Sequence, residues 1–137
     1  MSGSPAMRTN DQRRAAAALE AVRSVRAGDA KIAADYRSYV AALPASILSN
    51  GLGQAVATLL AQARGKDTAH RRLYEHLSAW LCGGDRDSPY PVGCLLDHLT
   101  EHDQQAYVHA QGEALAYLDW LKKFATAFLA GREEPNE

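Results

Sequence analysis

The chain has 137 residues, which is enough for one domain with an apolar core of its own. Its formal net charge of −1 excludes a protein that binds nucleic acid through a strongly basic whole surface, although residues 1–37 carry seven basic against four acidic side chains. Two cysteines are too few for a disulfide framework, and no apolar run approaches the roughly twenty residues of a membrane span. Because the first residues also lack the apolar core of a signal peptide, we expect a cytoplasmic protein.

The first two thirds of the chain have the pattern of successive short helices. Asn10 or Thr9 is suited to cap the first of them. Pro44 is expected to end the second helix, because the residue before a proline avoids the helical region, and Asn50-Gly51 is a sharp turn signal. Pro91 fits the first position of the last short helix in this part. The predicted helices are residues 10–27, 30–42, 44–48, 52–63, 68–82 and 91–99.

The longest predicted helix covers residues 105–130 and contains no proline. Asp103 is suited to be its N-cap, and Gly131 is suited to follow its last turn. Its apolar residues recur at helical spacing and define one buried side with an aromatic flank. They are Tyr107, Ala114, Leu118, Leu121, Ala125 and Phe128, with Trp120 and Phe124 beside them.

No segment alternates apolar and polar residues over the length of a strand. We therefore predict an all-α fold, a compact bundle of about six mostly antiparallel helices built on the long C-terminal helix. The predicted organisation is a flexible N-terminus at 1–8, a single helical domain at 9–131 and a flexible acidic tail at 132–137.

The sequence gives no positive case for an enzyme, a metal or a cofactor. It contains no nucleophile elbow, no phosphate-binding glycine loop and no paired cysteine motif. Cys94, His98 and His102 recur every fourth residue along one predicted helix, but one straight helix does not surround a tetrahedral ion. His102-Asp103 matches the dipeptide of metal phosphohydrolases, yet no distant aspartate follows it to complete such a site. An N-cap aspartate beside a surface histidine is the simpler interpretation.

Basic residues on predicted helix surfaces are the candidates for function. Arg23 and Arg26 lie one turn apart and can face the same way, and Lys122-Lys123 interrupts the most amphipathic part of the last helix. Such pairs can bind phosphates without reading bases. Each residue has the alternative of a solvated helix surface.

Two sequence blocks, in order, carry a resemblance to a known family. The first is Leu43-Pro44 with Ile47 and the segment NGLGQA at 50–55, and the second is EALAYLDWLKKFA at 113–125. With Trp80-Leu81 between them, the chain resembles the small-subunit family of type III-B CRISPR effectors, the Cmr RAMP-module complexes. The resemblance extends from about residue 9 to residue 129.

This resemblance implies a helical, non-catalytic subunit, since target RNA is cut elsewhere in such complexes. Several copies would stack as an inner filament beside the backbone RAMP subunits, contact the large polymerase-like subunit, and hold the guide RNA–target RNA duplex through a basic face in antiviral defence. The implied RNA-binding residues are Arg14, Arg23, Arg26, Arg37, Lys122 and Lys123. The alternative is a helical protein–protein scaffold without nucleic-acid contact, which the acidic balance and the apolar helix at 52–60 favour.

Overall fold

The computed structural model describes residues 8–131. The predicted flexible N-terminus and acidic tail, apart from residue 8, lie outside the described residues. Within 8–131 the chain forms six helices and no strand, which confirms the predicted all-α fold. The helices are α1 (Asn10–Arg26), α2 (Ala30–Asn50), α3 (Leu52–Ala63), α4 (Ala69–Leu81), α5 (Leu95–Glu101) and α6 (Gln104–Phe128).

Short polar side chains begin most of these helices. Thr9 and Gln12 form a reciprocal capping box at the start of α1, which satisfies two backbone N–H groups. Asp29, Thr68 and Asp103 accept backbone hydrogen bonds at the starts of α2, α4 and α6. The caps predicted for α1 and α6 are therefore confirmed.

The prediction that Pro44 ends the second helix is wrong, because α2 continues through it to Asn50. A proline inside a helix removes one hydrogen bond and costs about 3 kcal/mol. The buried stripe of α2 continues on both sides of the proline, with Leu43 at 4% and Ile47 at 0% exposure. Burying one such side chain contributes about 1.5–3 kcal/mol, so packing on both sides of Pro44 offsets its local cost.

The predicted turn at Asn50-Gly51 separates α2 from α3. Gly51 has φ +89°, a conformation that L side chains rarely adopt, and it serves both as the last cap of α2 and the first cap of α3. Since Gly51 has no side chain, residues of α6 cap α3 instead. Gln111 accepts from the Leu52 N–H at 3.0 Å, and the Tyr107 hydroxyl accepts from the Gly53 N–H at 2.8 Å.

The helix predicted from Pro91 starts later, at Leu95, with Cys94 as its N-cap. The residues before Leu95 form a loop instead of a helix, and this loop is hydrogen-bonded to the end of α4. The Tyr90 N–H donates to the Leu81 carbonyl at 3.0 Å, and the Tyr90 side chain is only 2% exposed. The chain on both sides of Pro91 forms bends rather than a helix.

The predicted apolar stripe of α6 is largely buried, and α1, α2 and α4 pack around this helix. Phe128, predicted to belong to the stripe, is 41% exposed. The α6 helix ends at this residue rather than at residue 130, and Leu129, which follows it, is buried instead. Contacts from Arg14 to Glu113 and from Arg26 to Phe128 show that α1 runs in the same direction as α6. The α2 helix runs in the opposite direction, since Arg37 near its start approaches Gly131 and Gly51 at its end lies beside Tyr107. Over residues 8–131, no helix combines the length and apolar character needed to cross a membrane.

Candidate nucleic-acid interface

Arg23 and Arg26 lie on the exposed side of α1, one turn apart. Neither forms a salt bridge with any side chain of the described residues. The Arg26 guanidinium lies 6.0 Å from the centre of the Phe128 ring, a distance typical of a cation–π contact. This contact orients Arg26 without neutralising its charge.

Arg37 approaches the same end of α6 from α2. Its side chain is half-buried, and a Cβ atom built on Gly131 would overlap its guanidinium. The carbonyl end of a helix carries partial negative charge, which favours cations at this place. The structure therefore brings Arg26 and Arg37 to the C-terminal end of α6, with Arg23 one turn back. We refer to Arg23, Arg26 and Arg37 as the basic cluster.

Lys122 and Lys123 are exposed on α6. Lys123 donates to Asp119 at 3.0 Å, one turn earlier on the same helix, whereas Lys122 forms no salt bridge within residues 8–131. Consecutive residues project about 100° apart around a helix, so the two lysines do not act as one point of charge. They lie about 8–9 Å along the helix axis from Phe128 and roughly 120–140° around it, so they face a different side of α6 from the ring that Arg26 contacts.

Arg14 is placed differently, because its guanidinium is used inside the fold. Its Nε and Nη2 atoms donate to the two carboxylate oxygens of Glu113 at 2.6 and 2.9 Å, and Nη1 donates to Asp11 at 2.6 Å. The indole N–H of Trp80 donates to Glu113 at 2.7 Å, and that of Trp120 donates to Asp11 at 3.0 Å. We call these five residues the Arg14–Glu113 cluster.

The charged groups of the Arg14–Glu113 cluster are largely buried and stabilise one another. The Arg14 side chain is 13% exposed and that of Glu113 is 7% exposed. Burial alone would raise the pKa of Glu113, but the hydrogen bonds from Arg14 and Trp80 outweigh it, and the pKa lies below its ordinary value. The same pairing with Glu113 raises the pKa of Arg14. This geometry links α1, α4 and α6, and it favours a structural role for Arg14.

Glu113 was not singled out from the sequence. The available signal was its spacing, because it lies three residues after Ala110 and four before Tyr117, both of which are buried. An acidic residue at such a position requires a buried partner. The partner, Arg14, is 99 residues away in sequence, so nothing local could identify it.

The residues considered as metal ligands form a small aromatic cluster instead. His98 Nδ1 lies 3.1 Å from His102 Nε2, and the Tyr90 ring stacks on His98 with centroids 5.3 Å apart. Cys94 lies 3.8 Å from the Tyr74 hydroxyl, and Asp103 caps α6. Across residues 8–131, no three His, Cys, Asp or Glu side chains converge as metal ligands. We refer to Tyr90, His98 and His102 as the Tyr90–histidine cluster.

A family model described as "CRISPR-associated protein (Cas_Cmr5)" matches residues 10–128, nearly the whole helical domain. The chain belongs to the Cmr5 family. This membership confirms the resemblance that the sequence blocks at 43–55 and 113–125 indicated. It also agrees with the fold, since the matched segment begins with α1 and ends with α6.

A sequence relative and a crystal structure give the extent of the likeness to other Cmr5 proteins. The protein "CRISPR system Cmr subunit Cmr5" of Thermus thermophilus is 33% identical over 123 residues, which are 90% of this chain and 98% of that protein. A crystal structure of "a CRISPR-associated Cmr5 family protein", also from Thermus thermophilus, superposes with a TM-score of 0.71 at 28% identity. This superposition covers 90% of this chain and all of that one.

Proposed function

We propose that the chain is a non-catalytic small subunit of a type III-B CRISPR effector that cleaves target RNA in antiviral defence. In this role, copies stack as an inner filament along the guide–target duplex, beside the backbone RAMP subunits and next to the large polymerase-like subunit. Family membership supports the assembly, and the "Cmr subunit" named in the Thermus thermophilus relative is consistent with it.

The observation that carries the RNA part of the proposal is the placement of Arg23 and Arg26 on α1. Both guanidiniums are exposed, lie one turn apart and have no acidic partner in the described part of the chain. Phosphate binding by such a pair requires no reading of bases, in keeping with a subunit that follows duplex shape while base pairing supplies the sequence specificity. Arg37 lies beside this pair at the end of α6. Lys122 and Lys123 face another side of α6 and would contact RNA separately. Arg14 contributes by holding α1 in place.

The test is binding of the full chain to a guide–target-like RNA duplex over a salt series. The variant Arg23→Glu with Arg26→Glu should weaken binding and make the salt slope shallower by about two, since each lost phosphate contact removes about one. Arg64→Glu with Lys66→Glu is the matched control, because both residues are exposed in the loop after α3 and the charge change is equal. Equal loss in both variants would show that only net charge matters and would contradict this face.

Affinity of a single copy for RNA is expected to be weak, because the net charge is −1. Stacked copies add their contacts on one duplex, so reconstitution with the backbone subunits gives the stronger signal. In that assembly, retention of target RNA should fall for the Arg23/Arg26 variant and stay unchanged for the control. Unchanged retention of target RNA in both variants would contradict the RNA contact and favour the scaffold role.

A protein–protein scaffold without RNA contact is the second candidate. The apolar helix that suggested it does not support it, because Leu52, Val56 and Leu59 of α3 are buried in the core. What favours it is that Leu48 is 71% exposed and Val108 is 63% exposed, two apolar side chains that a partner protein would cover, although single exposed apolar residues are also common on monomers. Self-association by light scattering, together with no duplex binding even at low salt, would favour this candidate.

A further inference from the structure

A pocket of about 220 Å³ opens between α1 and α4. It exists because the facing residues are small, including Ala17 and Ala21 on α1 and Ala79 on α4. Sites for drug-sized ligands measure about 300–1,000 Å³, so this pocket has room for a single long side chain. Trp80 and Tyr117 form an aromatic wall, with their rings stacked at 5.8 Å and 10° to one another.

The aromatic wall is fixed before anything binds. The indole N–H of Trp80 is held by Glu113 at 2.7 Å, and Tyr117 is 1% exposed. His76, which also lines the pocket, is held at 2.7 Å by the Tyr36 hydroxyl. Side chains that are already ordered lose little conformational freedom on binding, which favours affinity.

One charge dominates the pocket, the carboxylate of Glu20. Glu20 is exposed and forms neither a salt bridge nor a side-chain hydrogen bond within the described residues. Burial and then the charge of Glu20 raise the pKa of the Tyr117 hydroxyl, so the field of Glu20 reaches the aromatic wall. Burial lowers the pKa of His76, so this ring stays uncharged near neutral pH and adds no positive charge.

We propose that this pocket receives an arginine side chain from a partner protein of different sequence. A guanidinium stacks on aromatic rings and pairs with a carboxylate at the same time, which a lysine ammonium does less well. Glu20 would pair with the guanidinium while its stem lies along Trp80 and the alanines. The proposal rests on the proposed function only in taking the partner to be another subunit of the same assembly, and it needs no RNA contact.

The two tryptophans of the chain provide the readout, because Trp80 lines the pocket and Trp120 lies on α6 beside Asp11. The full chain is titrated with acetyl-Ala-Arg-Ala-amide, and the two indole N–H resonances are followed by NMR. The uncharged citrulline peptide of the same shape is the matched ligand control. We expect a saturable shift of Trp80 at millimolar arginine peptide, little shift with citrulline, and no shift of Trp120.

Two variants test the assignment in the protein. Glu20→Gln should weaken arginine-peptide binding about fivefold, the upper range for an exposed ion pair. Ala17→Leu should abolish the Trp80 shift by filling the pocket without changing charge. Glu101→Gln, an exposed residue of α5 with no salt bridge in the described residues, should change nothing. A thermal melt of each variant verifies the fold.

Several results would overturn the proposal. These are no Trp80 shift up to tens of millimolar peptide, equal shifts with arginine and citrulline, or an unchanged affinity in Glu20→Gln. A Trp80 shift that appears on concentrating the protein alone would identify a second copy as the occupant and overturn the choice of a different partner. Glu20→Gln should not weaken duplex RNA binding, so failure of this proposal and failure of the RNA proposal are distinguishable.

Discussion

The Arg14–Glu113 cluster and the Tyr90–histidine cluster are both polar groups set among helices, but they differ in how fully their atoms are paired. In the first, both Glu113 oxygens and all three Arg14 nitrogens have partners at 2.6–2.9 Å. In the second, the Tyr90 hydroxyl and His98 Nε2 are buried without a hydrogen-bond partner in residues 8–131.

The difference follows from what each cluster joins. Arg14 and Glu113 connect α1 to α6 across 99 residues of sequence, where charge is buried and every donor has to be satisfied. His98 and His102 are four residues apart, and a loop rather than a helix covers them. The unpaired Tyr90 hydroxyl is a neutral group, and leaving it without a partner costs less than leaving a charge unpaired. Stability should therefore depend strongly on the first cluster and weakly on the second.

The largest effect is expected from Glu113→Ala, which leaves the Arg14 guanidinium partly buried without its main partner. Breaking a buried ion pair from one side costs about 3–5 kcal/mol. Urea unfolding followed by circular dichroism measures the loss. The control is Glu75→Ala, which removes an exposed pair with Arg71 and should cost under about 1 kcal/mol. Similar losses in the two variants would mean that the Arg14–Glu113 cluster adds nothing beyond surface pairing.

Acid should weaken the same cluster. The folded pKa of Glu113 lies below its ordinary value of 4.5, so its contribution to stability is complete above that pH and is lost as the pH falls through the folded pKa. We expect the free energy of unfolding to decrease below about pH 4.5, with a shallower decrease in Glu113→Gln. Urea unfolding at a series of acidic pH values measures both slopes. Parallel slopes in the two proteins would place the acid sensitivity in other carboxylates.

Variants of the two tryptophans compare a hydrogen bond to a buried carboxylate with a hydrogen bond to an exposed one, within the same cluster. Trp80→Phe removes a donor to buried Glu113 and should cost about 1–2 kcal/mol, since hydrogen bonds to charged groups are the stronger ones. Trp120→Phe removes a donor to exposed Asp11 and should cost less. The comparison is made from urea midpoints at pH 7. A larger loss for Trp120→Phe would mean that aromatic packing, not hydrogen bonding, dominates at both positions.

Much of this fold was predictable because its signals are local. Thr9, Thr68 and Asp103 mark helix starts, and the spacing from Ala114 to Ala125 defines the buried side of α6. The continuation of α2 through Pro44 was not predictable, since tertiary burial of Ile47 decides it.

The residues of the candidate interface also divide into those whose placement was predictable from the sequence and those whose placement was not. Exposure of Arg23 and Arg26 follows from the period of α1, so their placement on one surface was within reach of the sequence. The main partner of Arg14, Glu113, comes from α6 and could not be predicted from the sequence. The pocket beside Glu20 was equally hidden, because it arises from alanines on two helices that meet only in the fold.

The smallest effect is expected from Tyr90→Phe. The ring packs against His98 and is buried, whereas its hydroxyl has no partner in the described residues, so removing the oxygen deletes a desolvated group and keeps the stacking. The free energy of unfolding should stay unchanged or rise by up to about 1 kcal/mol. His102→Ala, on the exposed side of the cluster, is the matched change and should cost about 0.5–1 kcal/mol through its bond to His98. A loss above about 2 kcal/mol in Tyr90→Phe would mean that this hydroxyl is bonded in solution, and the contrast between the two clusters would then disappear.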